Sequence, residues 1–370
     1  MDFSNGINAP KENYGKGRKM ISVMDILSKE PISYDNIRNS VEVDSKTESN
    51  HKVENGDIVF VRSSEVRNEV GWAKAYLENE FALYSGFTIR GKKIFDFDAF
   101  FVELSINGKN REQIESKAGG STRFNVSQSI LKSVVISEPS LVEQKKISAF
   151  FKQLDDTIAL HQRKLTLLEQ LKQSYLQLMC PQNKGNIPAL RFAGFSEPWE
   201  QRKIRELFTV TRGQVLAATK TKDKETNNFI YPVYSSQTKN NGLMGFYDQY
   251  LFENAITWTT DGANAGTVNF RKGKFYSTNV NGVLLSDKGF ANKAISEIIN
   301  KIAWKHVSKV GNPKLMNNVM SEITVTIPFV EEQNKLSLLF EQLDDTIDLH
   351  KCMLDKLLEL RLVFLRKMFL

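Results

Sequence analysis

Few residue types in this 370-residue chain could do covalent chemistry, and their spacings do not converge on a reaction centre. Cys180 and Cys352 are its only cysteines and there are four histidines, too few and too scattered for a disulfide scaffold or a His/Cys zinc site, so no metal site is expected. None of the nine prolines precedes another proline or an aspartate. This removes the Pro-Pro-aromatic signature of amino-methylating DNA methyltransferases and weighs against a nuclease centre of the Pro-Asp type. The run from Gly86 to Lys93 imitates a phosphate loop, but Lys93 stands where a Ser or Thr should hold Mg²⁺ and the run is strand-like. Gly262 and Gly266 do not fit a dinucleotide fingerprint. Asp155-Asp156 and Asp344-Asp345 look like paired carboxylates, yet neighbours on a helix diverge by about 100°, and a solvated helix face is expected of them.

Polar turns offer a different chemistry, that of binding. Arg and Lys pair with guanine edges, Asn and Gln with adenine edges, and Ser, Thr and Lys with phosphates. Three turns carry these residues: Gly119 to Asn125 with Arg123, Ser235 to Asn241 with Ser236, Gln237, Lys239 and Asn240, and Lys309 to Lys314 with Asn312. Arg62, Ser63, Ser64 and Glu65 follow a strand-like run, and Arg271 adds a further cation. These thirteen residues, with Lys309 and Lys314 among them, are the expected nucleic-acid contacts.

The elements that position them are set by a long internal repeat. Residues 139–179 and 328–368 align without a gap at an offset of 189 and share 19 of 41 positions, including Gln-Leu-Asp-Asp-Thr-Ile in both copies. That spacing is too long for a solenoid and marks a duplicated half. Each copy lacks glycine and has proline only at its start, so each is predicted to be one long helix. Apolar residues recur every three or four positions, as in a coiled coil. Phe151, Leu154, Ile158, His161 and Leu165 are predicted to face Phe340, Leu343, Ile347, His350 and Leu354. In an antiparallel pair the two histidines would meet near the middle as a polar register mark. An amphipathic helix lying on a globular core is the blander alternative.

The stretches between are a mixed α/β type, with short β-branched runs at 57–61, 87–89, 134–136, 255–258, 282–285 and 323–327, helices near 96–107 and 290–308, and five Asn-Gly pairs expected to make hairpins. The predicted organisation is therefore a first domain over 1–138, a helix over 139–180, a linker over 181–187, a second domain over 188–327 and a helix over 328–370. With 41% apolar and 25% charged residues, an ordinary globular chain is expected, without a signal peptide or membrane span and so intracellular. The overall charge of +7 is concentrated: residues 1–138 carry −1 and residues 181–327, the linker and second domain together, +8. A polyanionic partner with its stronger phosphate contacts in the second domain follows.

These features, the Glu-Gln-x-Lys-[Ile/Leu]-Ser helices, the segment from Leu190 to Lys203 containing Arg191-Phe-Ala-Gly-Phe195 and Trp199, and the stretches Tyr231 to Ser236 and Thr260 to Thr267, resemble the specificity subunit of type I restriction-modification systems. The resemblance implies two target-recognition domains reading a bipartite double-stranded DNA site. It also implies two long helices in an antiparallel coiled coil, a pseudo-two-fold arrangement, docking two methyltransferase subunits and through them restriction/translocase subunits. Such a subunit is cytoplasmic and non-catalytic and binds no cofactor, with S-adenosylmethionine, ATP and Mg²⁺ carried by its partners. The first domain has no counterpart of the 191–203 segment, as expected of an N-terminally shortened copy. A free-standing DNA-binding or anti-restriction protein derived from such a subunit is the alternative.

Overall fold

A computed structural model describes residues 1–181, 185–236 and 239–369, with the side chain of Lys239 excepted. The chain divides into two compact units: Met1–His161 with Met353–Leu370, and Gln162–Cys352. The division therefore falls inside the long helices, not at their ends as the sequence suggested, and each unit owns one α/β domain plus half of each helix.

In the first unit the strands are β1 (Asp2–Asn5), β2 (Tyr14–Ile21), β3 (Asn39–Val41), β4 (Ile58–Val61), β5 (Ser63–Ser64), β6 (Ala73–Ala75), β7 (Leu83–Tyr84), β8 (Thr88–Lys92) and β9 (Phe124–Asn125). One sheet runs β1-β8-β4-β6, a second β3-β2-β7, and β5 pairs with β9. All four residues of β4 are buried because the strand separates two cores. Ile58 and Phe60 enter one with Phe3, Phe101 and Phe151, while Val59 and Val61 enter the other with Ile21, Tyr76 and Tyr84.

The second unit holds β10 (Glu200–Lys203), β11 (Thr209–Arg212), β12 (Tyr231–Tyr234), β13 (Leu243–Tyr247), β14 (Phe252–Thr259), β15 (Val268–Ser277), β16 (Asn281–Leu285) and β17 (Thr324–Ile327). Its main sheet runs β11-β16-β14-β15-β12-β13, and β10 pairs with β17. The two units share a plan: β1 pairs antiparallel with β8 and β8 with β4, as β11 pairs with β16 and β16 with β14.

The long helices span Leu141–Leu178 and Val330–Met368. Within the first unit Arg361 grips Asp155 with Nε and Nη2 at 2.5 and 3.0 Å, and the rings of Phe150 and Phe364 lie 5.0 Å apart. Within the second, Lys172 bonds Asp344 at 2.6 Å and Lys351 pairs with Glu169 at 3.4 Å. In both, an earlier residue of one helix meets a later residue of the other, so the segments run antiparallel. The expected seam is realised unevenly. Phe151 and Phe340 are fully buried in the domain cores, as the blander reading of a helix on a globular core would have it. Ile347, His350 and Leu354 are buried, whereas Leu154, Ile158, His161 and Leu165 are half-buried. His161 belongs to the first unit and His350 to the second.

The start of each helix is fastened to its domain by the same clamp. Asp98 caps the helix Ala99–Asn107 by accepting from the Phe101 amide. The buried Gln144 accepts from the Asp98 amide at 2.9 Å and donates to the Pro139 carbonyl at 2.9 Å, while the Ser148 hydroxyl donates to the Asp98 carboxylate. At the offset of the repeat, Gln333 accepts from Asn292, the cap of the helix Lys293–Ala303, and donates to the Pro328 carbonyl at 2.8 Å, with Ser337 bonded to Asn292 at 3.2 Å.

Several expectations are corrected. Residues 134–136 form no strand. Asn107-Gly108 ends a helix, and the Asn107 amide pairs with both backbone groups of Ala73 at the sheet edge. Asn281-Gly282 lies in β16, where Gly282 is required because a Cβ would stand 2.1 Å from the Trp258 ring. Asp155 and Asp344 are anchors for cations, not solvated faces, although their neighbours Asp156 and Asp345 are less enclosed. Residues 182–184 of the expected linker lie outside the described residues.

Two outcomes follow. Gln144→Ala leaves the Asp98 amide and the Pro139 carbonyl without partners in a buried setting and is expected to lower stability by about 2 kcal/mol or more, measured by denaturant unfolding, with Ser148→Ala costing about half that. Glu103, desolvated beside β6, accepts from the Ala75 amide and has its carboxyl pushed up from the ordinary 4.5 to about 7. A carboxyl raised in the folded state opposes folding as pH rises between those two values. Glu103→Gln should therefore melt like the native chain near pH 4.5 and increasingly higher than it up to about pH 7, beyond which the gap is constant.

Candidate nucleic-acid interface

Each unit carries a seven-residue turn closed by reciprocal backbone hydrogen bonds. In the first, the amide of Gly119 donates to the Asn125 carbonyl and that of Asn125 to the Gly119 carbonyl, at 3.2 and 2.9 Å. In the second, Ser308 and Lys314 exchange the same bonds at 2.8 and 3.1 Å. The two turns are 189 residues apart, so the duplication extends upstream of the helices.

Both turns rest on the residues that follow a central strand. After β4, Arg62 donates its amide to Phe87 and accepts from the Val126 amide, while Ser63 pairs with Asn125 and Ser64 with Phe124. After β14, Thr260 donates to the Val280 carbonyl and accepts from the Leu315 amide, and Asp261 bridges to Lys314. Main-chain bonds thus fix where the turns stand, and the side chains on them are left to vary.

On the first turn Arg123 is exposed with its guanidinium 5.3 Å from the Phe87 ring centre, and Arg67 sits over Phe124 at 5.6 Å. The Arg62 guanidinium donates to the Gly86 carbonyl at 3.2 Å and is half-buried. Glu65 is exposed. Ser63 and Ser64 are buried, and the Ser64 hydroxyl is committed to Glu69 at 2.5 Å, so neither is displayed as expected.

On the second turn Lys309 and Asn312 are exposed, Lys314 keeps half of its side chain in solvent, and Val310 is 90% exposed. Asp261 stands between Lys314 at 3.8 Å and Arg212 at 3.9 Å. Beyond Arg212 the exposed Gln214 donates its amide to Ser277 and bridges to the buried Thr278, whose hydroxyl bonds Ser235 at 3.0 Å. Ser236 is half-buried in the following turn; Asn240 is exposed and, like Asn241, takes a positive φ near 50°. Gln237 and the Lys239 side chain lie outside the described residues.

Arg271 is turned inward, against expectation. It is buried, lies 3.7 Å from the Tyr234 ring centre and bonds Thr257, and burial pulls its guanidinium down to about 10. Its place in β15 is a core place. Sequence reasoning passed over Arg67, Phe87 and Arg212; extending the 189-residue offset upstream points to the turns that Arg67 and Arg212 adjoin. Each unit thus carries its own turn, the first displaying Arg123 beside a partly exposed ring and the second displaying Lys309, Asn312 and Lys314. Among the described residues no group of three or more His, Cys, Asp or Glu could hold a metal ion, and no helix is long and apolar enough to cross a membrane.

Comparison with known proteins finds the same duplication. The model of the type I restriction modification DNA specificity domain matches residues 10–170 and again 196–359. A Mycoplasma pneumoniae protein described as a type I specificity subunit is 30% identical over 213 residues, which cover 57% of this chain and 81% of that one. The specificity subunit of the restriction enzyme MpnII, from the same organism, is 32% identical over 158 residues, 42% of this chain and 46% of its own. The fold matches a crystal structure of a type I restriction-modification S subunit from M. genitalium with TM-score 0.66 and 15% identity, over 100% of this chain and 93% of that one. With both halves of the duplication matched, the chain belongs to the family of type I restriction-modification DNA specificity subunits.

Proposed function

We propose that this chain is the DNA-reading and scaffolding subunit of a type I restriction-modification complex. The observation that carries the proposal is the repeated turn: two loops of equal length, held by identical main-chain bonds and bearing different exposed side chains, are what reading two half-sites of different sequence calls for. Arg123 in the first unit and Lys309, Asn312 and Lys314 in the second are the leading contacts. Cations there neutralise phosphates, amides address base edges, and the +8 charge of residues 181–327 gives the second domain the larger share of phosphate binding.

The long helices space the two readers and present the surface on which two methyltransferase subunits dock, with restriction/translocase subunits joining through them. Methyl transfer, translocation and cleavage then belong to those partners, along with S-adenosylmethionine, ATP and Mg²⁺, and this chain contributes no reacting group. The complex would work in the cytoplasm, where its DNA is.

Co-expression with a type I methyltransferase subunit is expected to give a stable complex that methylates DNA at a bipartite sequence, whereas the chain alone methylates nothing. A chain that binds DNA but does not co-purify with the subunit would instead be a free-standing binder. In DNA binding as a function of salt, Lys309→Ala with Lys314→Ala is expected to make the log–log slope shallower by roughly 0.9 for each phosphate that is no longer neutralised. Arg271→Ala should leave that slope alone and lower the melting temperature, because it removes a buried side chain. Slopes unchanged in the double variant would refute the assignment of these lysines.

A further inference from the structure

One acid stands among the cations of the second turn. Residues 209–215, 259–267, 277–281 and 308–314 supply that turn and the strand ends around it, and they hold three cations, Arg212, Lys309 and Lys314, against a single acid, Asp261. Its backbone is fixed from both sides. Asp261 bridges to Lys314, the Gly262 amide donates to the Pro313 carbonyl at 3.0 Å, and Thr260 is bonded through its main chain to Val280 and Leu315. The Asp261 side chain itself is 31% exposed.

The hydrogen-bonding capacity of this carboxylate is barely used. Arg212 Nη2 lies 3.9 Å from Oδ2 and Lys314 Nζ lies 3.8 Å from Oδ1, both beyond hydrogen-bond reach. Among the described residues the one donor within reach is the Thr260 hydroxyl, 2.7 Å from Oδ2, and its single hydrogen is also wanted by the Val280 carbonyl at 2.9 Å. An ionised carboxyl offers about four acceptor sites. The two cations therefore balance the charge of Asp261 while leaving its lone pairs open to solvent. Stability does not call for the acid, since loose exposed ion pairs contribute little and main-chain bonds already place the turn.

On a surface that meets phosphates a carboxylate costs affinity, so what it contributes there is discrimination. Its lone pairs accept from an amino group on a base edge and repel a keto oxygen in the same place. In the major groove adenine N6 and cytosine N4 are donors, whereas guanine O6 and thymine O4 are acceptors. We infer that Asp261 is a specificity-determining residue for one half of the DNA target: it selects a base with an exocyclic amino group, adenine or cytosine, and rejects guanine and thymine at that position. The inference rests on the DNA-reading role proposed above. The first unit does not repeat the device. There Ser63 pairs with Asn125 as Asp261 does with Lys314, and Ser63 is buried. The preference is thus confined to one half-site.

The test uses the full chain in complex with a type I methyltransferase subunit, and selects bound duplexes from a pool randomised in sequence. Asp261→Ser and Asp261→Ala are run beside the native chain; both remove only a partly exposed side chain, and thermal melting checks that each is folded. The native complex is expected to fix adenine or cytosine at one position of one half-site. Replacing that base by its analogue lacking the amino group should weaken native binding about tenfold and leave both variants indifferent. The variants should accept all four bases at that position, keep every other position of the target, and bind unrelated DNA more tightly because a negative charge is gone. A selected sequence unchanged in both variants would overturn the inference, as would a variant that weakens all sequences alike, the mark of a merely structural role. Relaxation at a position occupied by guanine or thymine on both strands' readings of the amino rule would overturn it too. A native complex that selects no sequence at all would instead overturn the DNA-reading role, and this inference with it.

Discussion

Everything that this chain presents outward depends on how rigidly each long helix is joined to its α/β domain, and that joint is one buried glutamine in each half. Gln144 and Gln333 each satisfy a group at the cap of a domain helix and a proline carbonyl at the start of their own helix. A primary amide suits this task because it accepts and donates at once, and in a buried place either half left unmet would be costly. The neighbouring serine adds a third bond to the same cap. Direction is thereby fixed as well as contact, since the bonds converge on a helix terminus whose axis is already set by the domain.

Beyond the clamp, the helices are held within each unit by charge placed at the same register position. Asp155 and Asp344 are duplicates of each other, yet they are satisfied differently. Asp155 takes one bidentate arginine, whereas Asp344 joins Lys172, Lys293 and Glu297 in a network that also ties the domain helix to the pair. Burial alone would raise the Asp344 carboxyl, but the hydrogen bonds from Lys172 and Lys293 prevail and hold it below its ordinary range. One duplicated acid thus accepts whichever cation the local surroundings provide, which is how two domains of divergent sequence can hang on two copies of one helix.

The parts of this design legible in the sequence were those governed by periodicity and by the repeat. Helix extent, the strands 58–61, 252–259 and 281–285, and the place of the polar turns follow from local pattern, because glycine-free amphipathic runs and β-branched runs leave the backbone few options. What escaped was decided by tertiary partners. Val134-Val135-Ile136 has a strand's composition but no neighbouring strand, so it stays unpaired. Arg271 reads as a surface cation until β15 turns it onto Tyr234 and Thr257. The Gln of Glu-Gln-x-Lys reads as helix surface until the cap of a helix far off in the sequence is brought against it. Periodicity carries no information about such a partner.

The same division between frame and display explains why the family is written plainly in this chain while its target is not. The turns at 119–125 and 308–314 are located by main-chain hydrogen bonds, which any side chain but proline can supply at the bonded positions. The side chains of Arg123 and Asn312 take no part in these bonds, so exchanging either leaves the turn where it stands. Stability therefore constrains the helices, clamps and central strands, and leaves the exposed turn residues nearly free of it. A sequence pattern records what folding constrains, and these turns are placed where folding constrains least.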